Sequence, residues 1–266
     1  MSLRPFIPVT SRLSFIWAER GHVEVEGFAV VLVTEQGVVD LPIGVASALL
    51  LEPGTRITHG AVKACADAEC LLLWVGEAGV RCYAAGDPGR NADALLHQAA
   101  VVLEPARRLA AARRIFRRMF NEEAPAGRSI EQLRGLEGAK VWDLYASIAR
   151  STGIDWVGRN AKDAHDAVNQ AISVANAALY GLVEAVILAL GYAPSVGVVH
   201  NGAARSFVYD IADCLKFSTA TPLAMRVAKD GPEDIEGRTR RACRDLFRAE
   251  SMAEQIGRTV IEVLGG

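Results

Sequence analysis

The sequence is poor in lysine and in aromatic residues, and it has no long run of a single charge or composition. Only five of its 29 basic residues are lysine, so 24 are arginine. Aromatic residues make up 6% of the 266 residues, against 51% hydrophobic and 23% charged residues. This mixture excludes a disordered, collagen-like or low-complexity protein and supplies enough apolar side chains for a large core.

Cysteine pairs and an N-terminal apolar leader are also missing. The five cysteines are scattered, with no CxxC spacing, which excludes a disulfide framework and a zinc knuckle. The first fifteen residues lack the unbroken apolar stretch of a secretory signal. The most apolar region, residues 182–199, contains Glu184 and Pro194, so it indicates a buried core element rather than a membrane span. We expect a soluble cytoplasmic protein.

The formal net charge is −2, which on average is not that of a nucleic-acid binder. The preference for arginine over lysine has two explanations that the sequence leaves open. A genome rich in G and C would produce it without any functional cause. Clustered arginines would instead serve phosphate binding, since the guanidinium fork contacts two phosphate oxygens at once.

The pattern of residues predicts an α+β fold, with a small N-terminal β domain followed by a larger all-α C-terminal domain. Short runs of Val, Ile, Leu and Phe separated by turn residues predict strands in residues 1–86, with one helix at 61–69. Residues 87–93 are the predicted linker, and residues 94–266 the helical domain. The predicted helices are 94–120 with a bend near Pro105, 130–136, 139–152, 164–191, 206–218, 222–229 and 239–264.

Arginines cover one face of each of two predicted helices. The first face lies opposite an apolar stripe, and only Glu104 is close in sequence to neutralise it; its members are Arg107, Arg113, Arg114, Arg117 and Arg118. The second face consists of Arg240, Arg241, Arg244 and Arg248. These faces indicate contact with nucleic acid or another phosphate-bearing polymer. A solvated helix face is the alternative.

Three groups of side chains are candidates for binding a divalent metal. Glu137 lies between Gly135 and Gly138, where we expect the chain to turn sharply just before a helix and present the carboxylate. An ordinary acid in the first turn of a helix is the alternative. Asp210 and Asp213 lie one turn apart in an apolar segment, and buried carboxylates require a partner or a metal.

Lys216 could neutralise Asp213 across one turn, which is the structural alternative for that pair. His200 follows an apolar run and, taken alone, is more typical of a structural hydrogen bond. Together with the acids it forms a mixed nitrogen and oxygen set that suits Mg²⁺ or Mn²⁺. Ions held in this way act on phosphodiesters. A polar line on the helix at 164–191 faces either water or a cleft; it comprises Asn169, Ser173, Asn176, Tyr180 and Glu184.

Five stretches of the sequence, taken together, match one known family. They are LEPGTRITHGAV, LLLWVGEAGVRCYAAG, RSIEQLRGLEGAKV, LYGLVEAVILALGYAPSVGVVH and SFVYDIADCLKF, running from about Leu51 to Phe217. In these stretches the chain resembles the integrase-nuclease of CRISPR spacer acquisition, the first and most widespread Cas protein, in its subtype I-E form.

The resemblance implies a metal-dependent enzyme that joins the 3′-hydroxyl of a captured double-stranded DNA fragment into CRISPR repeat DNA by transesterification. It implies an asymmetric homodimer, a small ferredoxin-like Cas partner and bound Mg²⁺ or Mn²⁺. The implied metal ligands are Glu137, His200 and Asp213. Around them lie Asp210, Lys216 and Tyr180. The expected DNA contacts are Arg56, Arg81, Arg107, Arg113, Arg114, Arg117, Arg240 and Arg244.

The chain departs from this family at two places. Arg20 stands where relatives have a tyrosine that wedges the end of the captured duplex, and the loop after Trp156 is short. Two other functions remain open at this point: a non-catalytic DNA-binding scaffold of the same fold, and a general metal-dependent nuclease for branched DNA.

Overall fold

The first part of the chain forms two four-stranded sheets. A computed structural model describes residues 14–77, 81–86, 92–159 and 166–265. Within these ranges the strands are β1 Ser14–Ala18, β2 Gly21–Glu26, β3 Ala29–Thr34, β4 Gly37–Leu41, β5 Ala46–Leu51, β6 Thr55–Ile57, β7 Leu71–Val75 and β8 Cys82–Gly86. The first sheet has the order β1-β5-β7-β8 and the second the order β4-β3-β2-β6.

The two sheets differ in how their strands pair. In the first sheet β5 lies parallel to both β1 and β7, and β8 is antiparallel to β7. In the second sheet β3 pairs with β2 and β4 as antiparallel meanders, and β6 lies parallel to β2. Helix α1, His59–Asp67, begins where the Thr58 hydroxyl accepts the Ala61 N–H at 3.2 Å. It shares one apolar core with both sheets.

Strand β5 of the first sheet is buried on both faces, which explains its nearly continuous apolar run, ASALLL. Leu49 and Leu51 face the core shared with the second sheet. The alternate residues Ala48 and Leu50 face the other way and pack with Ala185 of a later helix. Because successive side chains of a strand point to opposite faces, β5 packs against the second sheet on one face and against the helical part on the other.

The rest of the described chain is helical, which confirms the predicted fold class. The helices are α2 Asp93–Leu103, α3 Pro105–Phe120, α4 Ile130–Thr152, α5 Ala167–Ala189, α6 Ser206–Asp213, α7 Ala220–Lys229, α8 Ile235–Ala249 and α9 Met252–Leu264. The predicted linker at residues 87–93 lies mostly outside the described ranges. Residues 1–13 also lie outside them. That domain boundary stays a prediction.

Three predicted helix boundaries were wrong. The bend near Pro105 is a full break, because Glu104 is extended and proline starts α3 as its first residue. The predicted helix at 239–264 is two helices, α8 and α9, separated at Ser251, whose φ is +48°. Conversely, the predicted helices 130–136 and 139–152 are one helix, α4, which continues through both glycines.

Both ends of α4 are defined by local signals. Ser129 accepts the N–H of Gln132, whose side chain in turn accepts the N–H of Ser129, forming a capping box. Gly153 ends the helix in the left-handed conformation at φ +70°. The helix is 23 residues long and only three of them are buried. It is therefore a surface helix packed along one edge of the helical core.

Helix α5 is the centre of the helical core. It passes the length and composition criteria for crossing a membrane, but 61% of its apolar window is buried inside the protein. Leu179, Leu182 and Ile187 are at most 1% exposed, and α7, α8, α6 and α9 pack around them. The prediction of a buried core element at 182–199 is confirmed for its helical portion.

We expect Leu179→Ala to lower the free energy of unfolding by about 2–5 kcal/mol, because it removes a fully buried side chain and leaves a cavity. Leu96→Ala on α2 is the matched control, since Leu96 is 63% exposed and should change stability by about 0.5 kcal/mol or less. Urea unfolding of both variants measures the difference. Equal losses would contradict the burial described for α5.

Candidate active site

Asp210 anchors the loop that carries His200. Its carboxylate is buried in α6 and accepts the backbone N–H groups of Val198 at 2.5 Å, Val199 at 3.2 Å and His200 at 3.0 Å. It also lies 2.8 Å from the Nδ1 atom of the His200 ring. A carboxylate that accepts several charge-assisted hydrogen bonds is a strong, directional anchor. Asp210 therefore fixes both the backbone and the ring of His200.

The contact with Asp210 determines which nitrogen of His200 is available. With Nδ1 protonated towards the carboxylate, Nε2 is left as the free donor atom of the ring. The hydrogen bond to Asp210 raises the pKa of His200 against the opposing effect of burial, and the negative charges of Asp213 and Glu137 add to the rise. His200 is thus surrounded by carboxylates. Its Nδ1 is hydrogen-bonded to Asp210, and its Nε2 is available to bind a metal or substrate.

Asp213 and Lys216 form a buried ion pair at the end of α6. The Lys216 Nζ lies 2.6 Å from Asp213 Oδ1, and both side chains are at least 87% buried, being 13% and 8% exposed. Burial lowers the pKa of Lys216, but the Asp213 carboxylate and the neighbouring Tyr180 and Tyr145 together outweigh this effect, and the pKa is raised. Lys216 therefore stays charged, and the predicted structural pairing of these two residues is present.

Tyr180 of α5 supplies a neutral hydroxyl close to this ion pair. Burial raises the pKa of Tyr180 to about 12, with opposing contributions from the charges of Lys216 and Asp213. At neutral pH its hydroxyl is protonated and able to donate a hydrogen bond. Tyr209, which no sequence pattern singled out, packs its ring 5.2 Å from that of Tyr180 and 5.8 Å from that of His200. Its position beside Asp210 on a short buried helix was the available signal.

Glu137 lies two turns inside α4, so the expectation of a sharp turn that presents it before a helix was wrong. Gly135 and Gly138 are helical, and a Cβ added at either would meet no atom within 4 Å. Burial raises the pKa of Glu137, and the Asp213 carboxylate raises it further. His200 and Lys216 lower the same pKa. These mutual effects show that Glu137 shares one electrostatic environment with the other site residues.

The structure brings four of the predicted residues to one crevice. Glu137, His200, Asp210 and Asp213 line it, and the opposite wall is apolar, formed mainly by α3 with Ala112, Ile115, Phe116, Met119 and Phe120. Among the residues that the structure describes, no three His, Cys, Asp or Glu side chains are close enough together to form a ready metal cluster. The crevice thus brings the potential metal ligands near one another, but their side chains do not surround a single point where an ion would bind.

The arginines of α3 have partners that the helix pattern did not reveal. Arg114 donates to the carbonyl of Val263 at 2.7 Å, at the C-terminal end of α9. Arg113 donates to the carbonyls of the loop after α3, at 2.6 Å for Ala124 and 3.1 Å for Pro125. These contacts give Arg113 and Arg114 a structural role, and their contact with DNA stays a prediction.

Acids from other elements also neutralise the exposed arginines of α3. Arg117 and Arg118 lie 3.2 Å and 3.6 Å from the carboxylate of Glu262 in α9. Arg107 lies 2.5 Å from Glu104. The partners Glu262 and Arg117 are far apart in sequence, so no local pattern could have paired them. The excess of positive charge inferred from the sequence of α3 is therefore smaller in the folded protein.

Two arginines of the second predicted basic face, on α8, are also paired with acids, here from α8 itself. Arg240 lies 2.6 Å from Glu236, and Arg244 lies 3.0 Å from Asp245. Arg56 and Arg81 differ. Both are exposed, and neither side chain forms a hydrogen bond or ion pair within residues 14–77, 81–86, 92–159 and 166–265. Arg81 and Arg240 also line a common groove with Tyr83.

The polar line predicted on α5 is mostly structural. Arg159 donates to Asn169 Oδ1 and to Ser173 Oγ, both at 2.8 Å, which ties the preceding loop to the start of the helix. Glu184 lies 2.8 Å from Arg205. Only Tyr180 lies in the electrostatic environment of the candidate site.

Comparisons with known proteins identify the fold. The crystal structure titled TtCas1-DNA complex superposes with a TM-score of 0.88 at 36% identity, covering 97% of this chain and 98% of that one. A casposase bound to integration product reaches a TM-score of 0.63 at 13% identity, which is a likeness of fold. The class of protein is thus defined by this α+β fold, with a strand-rich N-terminal part followed by a helical part.

Sequence comparisons identify the family. The model of the family described as CRISPR associated protein Cas1 matches residues 117–244. The CRISPR-associated endonuclease Cas1 of Geobacter sulfurreducens is 46% identical, over 98% of this chain and 87% of that protein. The protein of the same description from Escherichia coli K12 is 45% identical, over 97% of this chain and 87% of that protein. The chain belongs to the Cas1 family.

We expect Asp210→Asn to lower stability more at pH 5 than at pH 8 in buffer with a metal chelator. A raised His200 pKa means that the Asp210–His200 pair stabilises the fold fully below the unfolded pKa of about 6.5. This contribution is lost as the pH rises through the folded pKa. Urea unfolding at both pH values measures the effect.

The backbone N–H groups of residues 198–200 lose their charged acceptor at every pH, so a second, pH-independent loss is also expected. Asp143→Asn on the exposed face of α4 is the control and should show no such pH dependence. A His200 pKa that stays the same in Asp210→Asn, followed by NMR, would contradict this account of the pair.

Proposed function

We propose that this protein is a metal-dependent DNA integrase and endonuclease of CRISPR adaptation. The observation that carries the proposal is the crevice shared by Glu137, His200, Asp210 and Asp213, with Nε2 of His200 left free. The relatives that match nearly the whole chain are named CRISPR-associated endonucleases. A crevice of carboxylates and one oriented histidine is suited to chemistry on a phosphodiester.

The donor chemistry of the crevice fits a divalent cation such as Mg²⁺ or Mn²⁺. Glu137 and Asp213 supply oxygens whose mutual repulsion a cation would relieve, and His200 supplies one neutral nitrogen. These three are the proposed metal ligands. A bound ion would stabilise the negative charge that develops on the phosphodiester. Because no ready cluster is formed, we infer that small side-chain movements accompany binding.

The remaining side chains have distinct proposed roles. Asp210 holds the His200 ring with Nε2 directed away from it. Lys216, charged and buried beside Asp213, supplies a positive charge next to the reacting phosphate. Tyr180, neutral at physiological pH, supplies a hydrogen-bond donor. The apolar wall of α3 limits the access of water to one side of the crevice.

The proposed reaction is a transesterification that needs no nucleotide cofactor. The 3′-hydroxyl oxygen of a captured DNA fragment forms a new bond to a phosphorus of the repeat DNA. The bond from that phosphorus to the repeat's own 3′-oxygen breaks, and the proton lost by the attacking hydroxyl is returned to the leaving oxygen. One phosphodiester replaces another, so no external source of energy is required.

Double-stranded DNA is the proposed substrate, as a captured fragment and as CRISPR repeat DNA. A solved relative with a TM-score of 0.88 is titled as a complex with DNA. Arg56 and Arg81 are the best placed of the predicted DNA contacts, because each is exposed and free of partners in the described parts of the chain. The paired arginines Arg107, Arg117, Arg240 and Arg244 would have to exchange an internal partner for a phosphate.

Exposed apolar residues support the proposed homodimer. Phe28, between β2 and β3, is fully exposed, and Val38 and Val39 on the edge strand β4 are each 55% exposed. An exposed strand edge with apolar side chains is typical of a protein interface. A small ferredoxin-like Cas partner, a cytoplasmic location and the subtype I-E assignment complete the proposal and rest on the family resemblance.

We expect Asp213→Asn to abolish joining of a pre-formed fragment to a supercoiled repeat plasmid, assayed with the partner and Mn²⁺. The change removes a ligand charge at nearly constant size, and we expect a rate loss on the order of a thousandfold or more. DNA capture by distant arginines should survive. The readouts are covalent joining, DNA binding and thermal stability, since the variant also loses the contact with Lys216.

Asp143→Asn is the matched control, because it removes the same charge from an exposed position on α4. It should join DNA at the native rate. A non-catalytic scaffold predicts that neither variant differs from the native protein. A folded Asp213→Asn protein that joins DNA at a near-native rate would overturn the catalytic proposal.

A second prediction separates arginines that bind DNA from arginines that hold the fold. Replacing Arg56 and Arg81 by alanine should weaken DNA binding and lower the salt slope by about 0.9 for each lost phosphate contact, without changing the melting temperature. Arg114→Ala should lower the melting temperature, because the carbonyl of Val263 loses its donor. A lower salt slope in Arg114→Ala would show that Arg114 also contacts DNA.

A further inference from the structure

A glutamine outside the crevice holds the chain that leads to His200. Gln98 of α2 is fully buried and makes three hydrogen bonds to the loop between α5 and α6. Its Nε2 donates to the carbonyls of Ala193 at 3.0 Å and Val196 at 2.8 Å. Its Oε1 accepts the N–H of Ala193 at 2.8 Å. All the polar atoms of this side chain are therefore used on one short segment of backbone.

Side chains of two other helices also form hydrogen bonds with this segment. Arg108 of α3 donates from Nε to the carbonyl of Val198 at 2.8 Å. The next N–H along, that of Val199, donates to Asp210 of α6. The peptide group between Val198 and Val199 is thus held at its oxygen and at its nitrogen by two different helices. Gln98 holds the first half of the segment, and Arg108 and Asp210 hold the second half.

The segment is closely packed at its centre, where Gly197 leaves no space for a side chain. A Cβ added at Gly197 would lie 2.2 Å from the carbonyl oxygen of His200 and 2.7 Å from the Cβ of Ser206. The backbone of residues 193–200 therefore folds back closely on itself, with Gly197 packed against the carbonyl group of His200. Displacing Ala193 or Val196, where Gln98 binds, would move Gly197, which lies directly against the backbone of His200.

We propose that Gln98 is a positioning residue for His200, an inference that rests on the proposed function of the crevice. The residues that line the crevice come from α3, α4, α6 and the loop before α6. Gln98 acts on that loop from α2, through the backbone rather than through contact with substrate. Only an amide side chain both donates to two carbonyls and accepts an N–H at this position, which a purely apolar filler could not do.

The test uses two substitutions at Gln98 in the full-length protein. Gln98→Glu keeps the size and the acceptor but loses both donors and faces two carbonyl oxygens with a carboxylate. Gln98→Met keeps the buried volume without any hydrogen bond or charge. For both variants we expect Mn²⁺ affinity, measured by titration, to weaken about 10–100-fold, as for other residues that orient a metal ligand indirectly.

Kinetics and hydrogen exchange provide two further readouts. The single-turnover joining rate at saturating DNA should fall by a similar factor, while the DNA concentration for half saturation stays unchanged. In metal-free protein, the backbone N–H groups of Val198, Val199 and His200 should exchange with solvent faster than in the native protein.

Controls separate positioning from general destabilisation. Val260→Ala removes buried volume from α9 and should lower the melting temperature without changing Mn²⁺ affinity or the joining rate. Gln255→Glu introduces the same charge at a partly exposed glutamine of α9 whose Nε2 donates to the carbonyl of Glu250, and it should leave Mn²⁺ affinity and the joining rate unchanged. If Val260→Ala reproduced the loss of Mn²⁺ affinity, or if both Gln98 variants bound Mn²⁺ and joined DNA as the native protein does, the inference would be overturned.

The failure of this inference can be distinguished from that of the proposed function. A native protein that joins no DNA, or a His200→Ala protein that joins at the native rate, would overturn the function of the crevice. Native joining that depends on His200 but not on Gln98 would overturn only the positioning role.

Discussion

The burial of α5 is the constraint on which the rest of the structure depends. This helix is apolar on nearly every side, so it is stable only when other elements cover it completely. The first sheet covers one side through Ala185 and Ala189, and α6 to α9 cover the others. Of the candidate site residues, Asp210 and Asp213 lie on α6, which packs against α5, and Tyr180 lies on α5 itself. The position of the crevice is thus a consequence of how this helix is enclosed.

Much of the architecture follows from the sequence because local patterns are strong in it. Short apolar runs separated by turn residues, followed by long helical patterns, predict the division into a strand-rich and a helical part. The errors in helix boundaries have physical causes. Gly135 and Gly138 did not break α4, because a helix with good caps tolerates internal glycines that cost only about 1 kcal/mol each. Ser251 did break the last helix, although serine is not a strong helix breaker.

The side chains of the site were predictable as types but not as an arrangement. Asp210 was expected beside the site, yet its hydrogen bonds to residues 198–200 depend on a loop conformation that no spacing rule describes. The partners of the arginines were unpredictable for a related reason. Arg114 binds the carbonyl of Val263, which is 149 residues away in the sequence. Contacts between residues so far apart in the chain produce no periodic pattern in the sequence. Gln98 was missed because a glutamine in an amphipathic helix has no distinguishing pattern.

The burial of β5 on both faces has a consequence for the synthesis of the protein. Ribosomes make the strands of this sheet well before α5, and one apolar face of it has no cover until α5 has emerged; that face carries Ala48, Leu50, Leu71, Leu73 and Val75. The newly made N-terminal part therefore exposes apolar surface during translation. Aggregation and binding by chaperones compete with folding at that stage. Slow translation between β8 and α5 would lengthen the time for which this face stays uncovered.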